Sequence, residues 1–169
     1  DDEVTRVSVH LEVVCTPTNF LNIYQTTGDA SPGMKLTIIR KQGHTNEYFL
    51  SQPLAAPARK LAASELWLRF AGSDFCAADL GLEFLHWPEQ RVVRNLMRKS
   101  VYCHVLESTN PVPSPGGYSK VLSWIGANRP GEMILVHAEA YDSTGRLLKL
   151  FDPTKLEKIE GVHQLEEME

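Results

Sequence analysis

The residues of this chain that could do chemistry are three cysteines, six histidines, a set of loop aspartates and a short run of arginines. Cys103 and His104 are adjacent, which invites a nucleophile and its base. Neighbours in a strand point to opposite faces, so these two cannot form a dyad with each other. Cys103 shares its row with Val101 and Val105, the setting of a thiol that packs rather than reacts. His10, His44, His86, His104, His137 and His163 include no His-x-x-x-His pair, and the chain has no Cys-x-x-Cys. No metal centre and no cofactor is therefore expected. His10 and His137 fall on the polar rows of two strands and read as solvated. Asp74 with Asp79, and Asp142 with Asp152, lack the dense Asp-x-Asp clustering that calcium needs, so turns and caps account for them. The phosphate-loop, nucleophile-elbow and dinucleotide fingerprints are absent. The chain is accordingly read as no enzyme, with one residual alternative: a hydrolase assembled from distant residues such as Cys15 or Asp74 with a histidine.

Binding candidates remain. Arg91, Arg94 and Arg98, followed by Lys99, lie near Trp87 and Tyr102 and could meet phosphates or an acidic partner; the polar face of a helix would look the same. Trp67 opposes Leu66, Leu68 and Phe70 by alternation, so it belongs either to a second core layer or to an exposed anchoring surface. Tyr118 and Trp124 complete the aromatic candidates.

The net charge of −4 is concentrated at the ends, in Asp1, Asp2 and Glu3 and in the Glu-rich stretch after Lys155. The body between is close to neutral, which argues against a nucleic-acid surface. An odd, widely spaced cysteine set and the absence of any Asn-x-Ser/Thr acceptor lean toward a reducing, cytoplasmic setting. No apolar run is long enough for a membrane-spanning helix.

The elements that must position these residues are mostly strands. Residues 4–14 alternate strictly, with Val7, Val9, Leu11 and Val13 on one face. Further strands are expected at 20–27, 34–40, 47–50, 65–70, 80–87, 101–107 and 118–125, with turns at 28–33, around Gly43 and at 128–131. Met133 to Phe151 reads as a β-hairpin around Asp142-Ser143-Thr144-Gly145. The row Ile134, Val136, Ala138 and Ala140 is assigned to its core side, and Leu135, His137, Glu139 and Tyr141 to a mixed polar side. Residues 108–117, with three prolines, form a loop. One internal amphipathic helix is expected at 88–100, with Pro88 at its first position and Val92, Val93, Leu96 and Met97 as its stripe. A second helical segment is expected beyond Asp152-Pro153.

These features predict a mainly β fold: an antiparallel β-sandwich of about eight to ten short strands over residues 1–153, with a barrel as the alternative. Residues 154–169 are expected to be an acidic helical tail or linker that continues in a longer parent chain. Their apolar spacing of three is not a clean coiled-coil seam, though it allows the start of a helical stalk or coiled-coil extension. The function expected is a non-catalytic protein-interaction or self-association module of a scaffold-type protein. A glycan or small-ligand binder using Trp67 or Trp124 is the alternative.

Overall fold

Alternation of apolar and polar residues predicts half-buried strands, and most of the chain takes that form. The computed structural model describes residues 7–27, 33–41, 44–129, 132–159 and 162–168. The turns expected at 28–33, around Gly43 and at 128–131 fall wholly or partly outside them. The chain divides into two compact units, residues 1–86 and 87–169.

The first unit is an antiparallel meander of β1 (Ser8–Cys15), β2 (Asn19–Thr27), β3 (Lys35–Lys41), β4 (Glu47–Ser51) and β5 (Arg59–Lys60). Register sets Tyr24 opposite Leu36, Asn22 opposite Ile38 and Ile38 opposite Tyr48 on one face. Leu36, Ile38 and Tyr48 are buried there with Phe70 and Ala77, and Leu61, Leu66 and Leu80 pack against them. The covering segment is the one where alternation predicts strands at 65–70 and 80–87. It folds instead as a 3-10 turn (Ala63–Trp67), a single helical turn α1 (Ala77–Leu80) and a second 3-10 turn (Glu83–His86). Local hydrogen bonds favour the turns: the Ala62 N–H donates to Glu65 and the Cys76 N–H to Asp79, each three residues on. Carbonyls left open at the end of α1 are met from the sheet. The Tyr24 hydroxyl and the Arg40 guanidinium both donate to the Leu80 carbonyl, and the Asn46 amide donates to that of Gly81.

The second unit is another meander in chain order: β6 (Glu89–Arg98), β7 (Val101–Thr109), β8 (Lys120–Arg129), β9 (Glu132–Tyr141) and β10 (Leu147–Phe151). The hairpin expected at 133–151 is present as β9–β10. Asp142 holds its turn by accepting from the N–H groups of Thr144 and Arg146. The helix expected at 88–100 is not formed. Those residues are β6, paired with β7 from Glu89–Thr109 to Arg98–Val101. The adjacent β-branched Val92 and Val93 suit a strand better than a helix interior, and pairing with β7 satisfies their backbone. The segment expected to be helical from residue 154 is also extended, as β11 (Pro153–Ile159) paired with β12 (Val162–Met168). Spacings of three among its apolar residues drift around a helix, and no coiled-coil helix starts here.

The fold is thus mainly β and antiparallel with little helix. Both five-stranded sheets are open, with β1 and β5, or β6 and β10, as edges, which removes the barrel alternative. Among the described residues no helix is long and apolar enough to cross a membrane.

Candidate functional site

Two β-bulges determine which side chains share a face in the second sheet. A bulge sets two residues against one and moves the strand's alternation by one position. In β9 the pairing passes from Trp124–His137 to Ile125–Leu135, leaving Val136 as the extra residue. In β6 it passes from Val92–Leu106 to Arg94–Val105, leaving Val93 as the extra one. Strict alternation splits His137 from Val136 and sends it to solvent. The bulge puts both on the face of Trp124, and His137 is only 1% exposed, which corrects the solvated reading. The β6 bulge likewise brings Arg91 onto the face already occupied by Arg94 and Arg98.

That face has an apolar floor and a charged rim. Cys103, Val105, Trp124 and Val136 are buried, with Leu96, Val101, Leu122 and Ile134 against them. Gly126 keeps the floor tight, since a Cβ there would overlap Val101 and crowd Val136. The guanidinium carbons of Arg94 and Arg98 lie 5.7 and 5.0 Å from the Trp124 ring centroid. The His137 ring meets the same indole edge-on at 4.9 Å. Its Nδ1 is 3.0 Å from Asp152 and its Nε2 is 3.2 Å from Glu139. Asp152 also pairs with Lys99 at 3.0 Å, and the Tyr141 hydroxyl donates to Glu139. Burial pushes the Asp152 carboxyl up, but its hydrogen bonds from Lys99 and His137 outweigh that and the net direction is down. Tyr141 is pushed up to about 12, first by its bond to Glu139 and then by burial. Glu107 is held by Arg91 at 2.6 Å and faces Lys120 at 3.7 Å.

The opposite face of the same sheet is mixed, with its large apolar residues exposed at the β6–β7 edge. Register places Met97 beside Tyr102, Val92 beside Leu106, and Ile125 beside Leu135 on it. Val92, Met97 and Tyr102 are 58%, 60% and 56% exposed. His104 also lies on this face, bonded to Asn95 at 2.7 Å, while Cys103 is fully buried on the other. The adjacent pair is therefore separated by the sheet, as the spacing predicts.

In the first unit, Asn46, Tyr48 and Glu83 form a polar cluster. The Tyr48 hydroxyl donates to Glu83 at 2.6 Å and the Asn46 amide donates at 3.1 Å. Burial pushes the Glu83 carboxyl up despite these donors and the nearby Arg40. The face of this sheet away from the helical turns carries Val14, Leu21, Ile23, Ile39 and Phe49, all half-buried.

Of the residues singled out by sequence, Arg94, Arg98 and Trp124 come together, with Arg91 on the same face. Tyr118 is buried and edge-on to Phe151. Trp67 is half-buried in the 3-10 turn of the first unit. Lys99, His137, Glu139, Tyr141 and Asp152 were weighed only separately, as a basic neighbour, polar-row residues and a turn or cap acid, because the bulge that gathers them has no residue signature. Among the described residues no group of three His, Cys, Asp or Glu is arranged to hold a metal ion.

A family model with the description "Uncharacterized protein" matches residues 20–169. The chain belongs to that family. No curated protein matches the chain. Among solved structures it is similar to a DUF1329 family protein from Desulfovibrio piger, with a TM-score of 0.69 and 17% identity over 96% of this chain and 68% of that one. It is also similar to a domain from Vibrio parahaemolyticus described as outer membrane lipoprotein-sorting, with a TM-score of 0.62 and 16% identity over 89% of this chain and 68% of the other. A LolA superfamily protein from Nitrosomonas europaea shares a TM-score of 0.56 and 18% identity, over 96% of this chain and 74% of that one. This shared fold overturns the expectation of a cytoplasmic scaffold module and the hydrolase alternative, and it lends no support to glycan binding.

Proposed function

We propose that this protein is a carrier that binds the acyl chains of a lipid or lipidated protein outside the cytoplasm. The observation that carries this reading is the exposed apolar edge of the second sheet, where Val92, Met97 and Tyr102 of β6 and β7 stand more than half exposed, while Val121, Ser123, Ala138 and Ala140 further along the same face are buried. Large apolar side chains left exposed on one edge, here on either side of the Asn95–His104 pair, mark a binding surface. Covering a Val or Met side chain fully is worth roughly 1.5–3 kcal/mol, so an apolar occupant gains and a polar one does not. Apolar side chains standing out from pleated strands suit a flexible hydrocarbon chain, and no specific polar contact is needed to hold it. The half-buried row Leu21, Ile23, Ile39 and Phe49 in the first sheet is a second surface of the same character. The fold shared with a lipoprotein-sorting domain and a LolA superfamily protein supports the same reading. The role is binding rather than catalysis, and its partners are lipids or lipidated proteins.

The test is a fluorescent fatty-acid titration of the purified chain, with organic extraction and mass spectrometry of what co-purifies. Val92→Asp and Met97→Lys change exposed positions and leave the fold intact. Each is expected to weaken fatty-acid binding about tenfold, the equivalent of roughly 1.4 kcal/mol. Wild-type protein that carries no lipid and does not bind the probe would overturn the proposal.

A further inference from the structure

The charged face of the second sheet is unevenly neutralised. Arg91 is paired with Glu107 and Lys99 with Asp152, so the outer cations of the β6–β7 hairpin have carboxylate partners. The carboxylates there are committed: Glu107 to Arg91 and Lys120, Glu139 to Tyr141 and His137, Asp152 to Lys99 and His137. Arg94 and Arg98 make contact with the Trp124 ring, and among the described residues neither has a carboxylate partner. The Nε of Arg98 is buried without a hydrogen-bond acceptor. Buried donors are normally satisfied, and two like charges at one indole repel, so the arrangement is one that an anion would complete.

We propose that Arg94 and Arg98, held over Trp124, form a receptor for a phosphate group. Cation–π contact with the indole restrains both guanidinium groups before a ligand arrives, which reduces the side-chain entropy lost on binding. A carboxylate accepts one bidentate fork in one plane. A tetrahedral phosphate offers acceptors in several directions and can take donors from two forks that approach it differently. This site lies on the opposite face of the sheet from the apolar surface, so it does not rest on acyl binding. The same chemistry is offered by free phosphate and by the headgroup of an anionic phospholipid.

The experiment has two arms at constant ionic strength. Calorimetric titration with inorganic phosphate, with acetate as the carboxylate control, reads free phosphate. Co-sedimentation with phosphatidylcholine vesicles, with and without phosphatidylglycerol, reads the headgroup. Arg94→Gln and Arg98→Gln are expected to weaken binding at least tenfold in whichever arm binds, while Arg91→Gln, which removes the same charge from a paired position, changes it less than twofold. Retention on phosphatidylglycerol vesicles assigns the headgroup as the source. Phosphate binding without vesicle retention assigns the free ion. Because Arg98 is partly buried, circular dichroism is recorded for each variant, and exposed Arg94 carries the test should Arg98→Gln fail to fold. Absence of binding in both arms, equal binding of acetate, or an equal loss in Arg91→Gln sinks the proposal.

Discussion

At the scale of single residues, Glu83 shows how burial and hydrogen bonding compete. Tyr48 and Asn46 donate to its carboxylate and Arg40 lies nearby, yet burial dominates and raises its pKa. A carboxyl that holds its proton more tightly when folded stabilises the fold most fully below the ordinary carboxylate range. That contribution is lost as pH rises through the raised folded value. At neutral pH the charge is therefore a liability. Glu83→Gln keeps an acceptor for Tyr48 and removes the charge, so it is expected to raise the thermal midpoint at pH 7 by about 2 °C. It should also flatten the dependence of the midpoint on pH between 4 and 7. A variant that melts lower than wild type at pH 7 and equally at pH 4 would show that the charge is net favourable. No sequence pattern announces this cluster, because Asn46, Tyr48 and Glu83 meet only through the packing of the helical turns onto the sheet.

At the scale of elements, the β6–β7 hairpin is where sequence reading and structure part. Its two-residue connection is Lys99-Ser100, and both residues have positive φ, 47° and 63°. Such a turn normally carries Asn-Gly or Asp-Gly, and their absence removed the usual hairpin signal. The Val93 bulge then broke the period of two, leaving Val92, Val93, Leu96 and Met97 to mimic a helical stripe. The positive φ of Ser100 has a measurable consequence. Ser100→Gly relieves the left-handed strain and retains the Lys99–Asp152 pair, so the urea midpoint should rise by the equivalent of about 0.5–1 kcal/mol. An unchanged or lower midpoint would mean that the turn is not strained. By contrast, β9–β10 was legible because Asp142 and Gly145 supply standard turn chemistry between alternating arms.

At the scale of the whole molecule, compartment was the weakest reading, and the cysteines explain why. Cys76 and Cys103 are buried and Cys15 is half-buried, none of them in a disulfide. Burial shields such thiols in any compartment, so their odd number says little about redox setting. The carrier reading places the protein outside the cytoplasm. Fractionation of cells producing the full-length protein is expected to recover most of it in the extracytoplasmic fraction; recovery in the cytosol would argue against that placement.

What the sequence determined by itself was the mainly β class and part of its local pairing: alternation set β1 to β4, the turn chemistry of Asp142 set β9–β10, and the separation of Cys103 from His104 followed from the pleat. By contrast, 65–70 and 80–87 were misread as strands and 88–100 and 154–169 as helices. What only the tertiary structure decided was which residues share a face. Facing depends on register, and a single bulged residue, Val93 or Val136, inverts it for the rest of the strand at no cost in local composition. That inversion placed Arg91 beside Arg94 and Arg98 and buried His137 against Trp124.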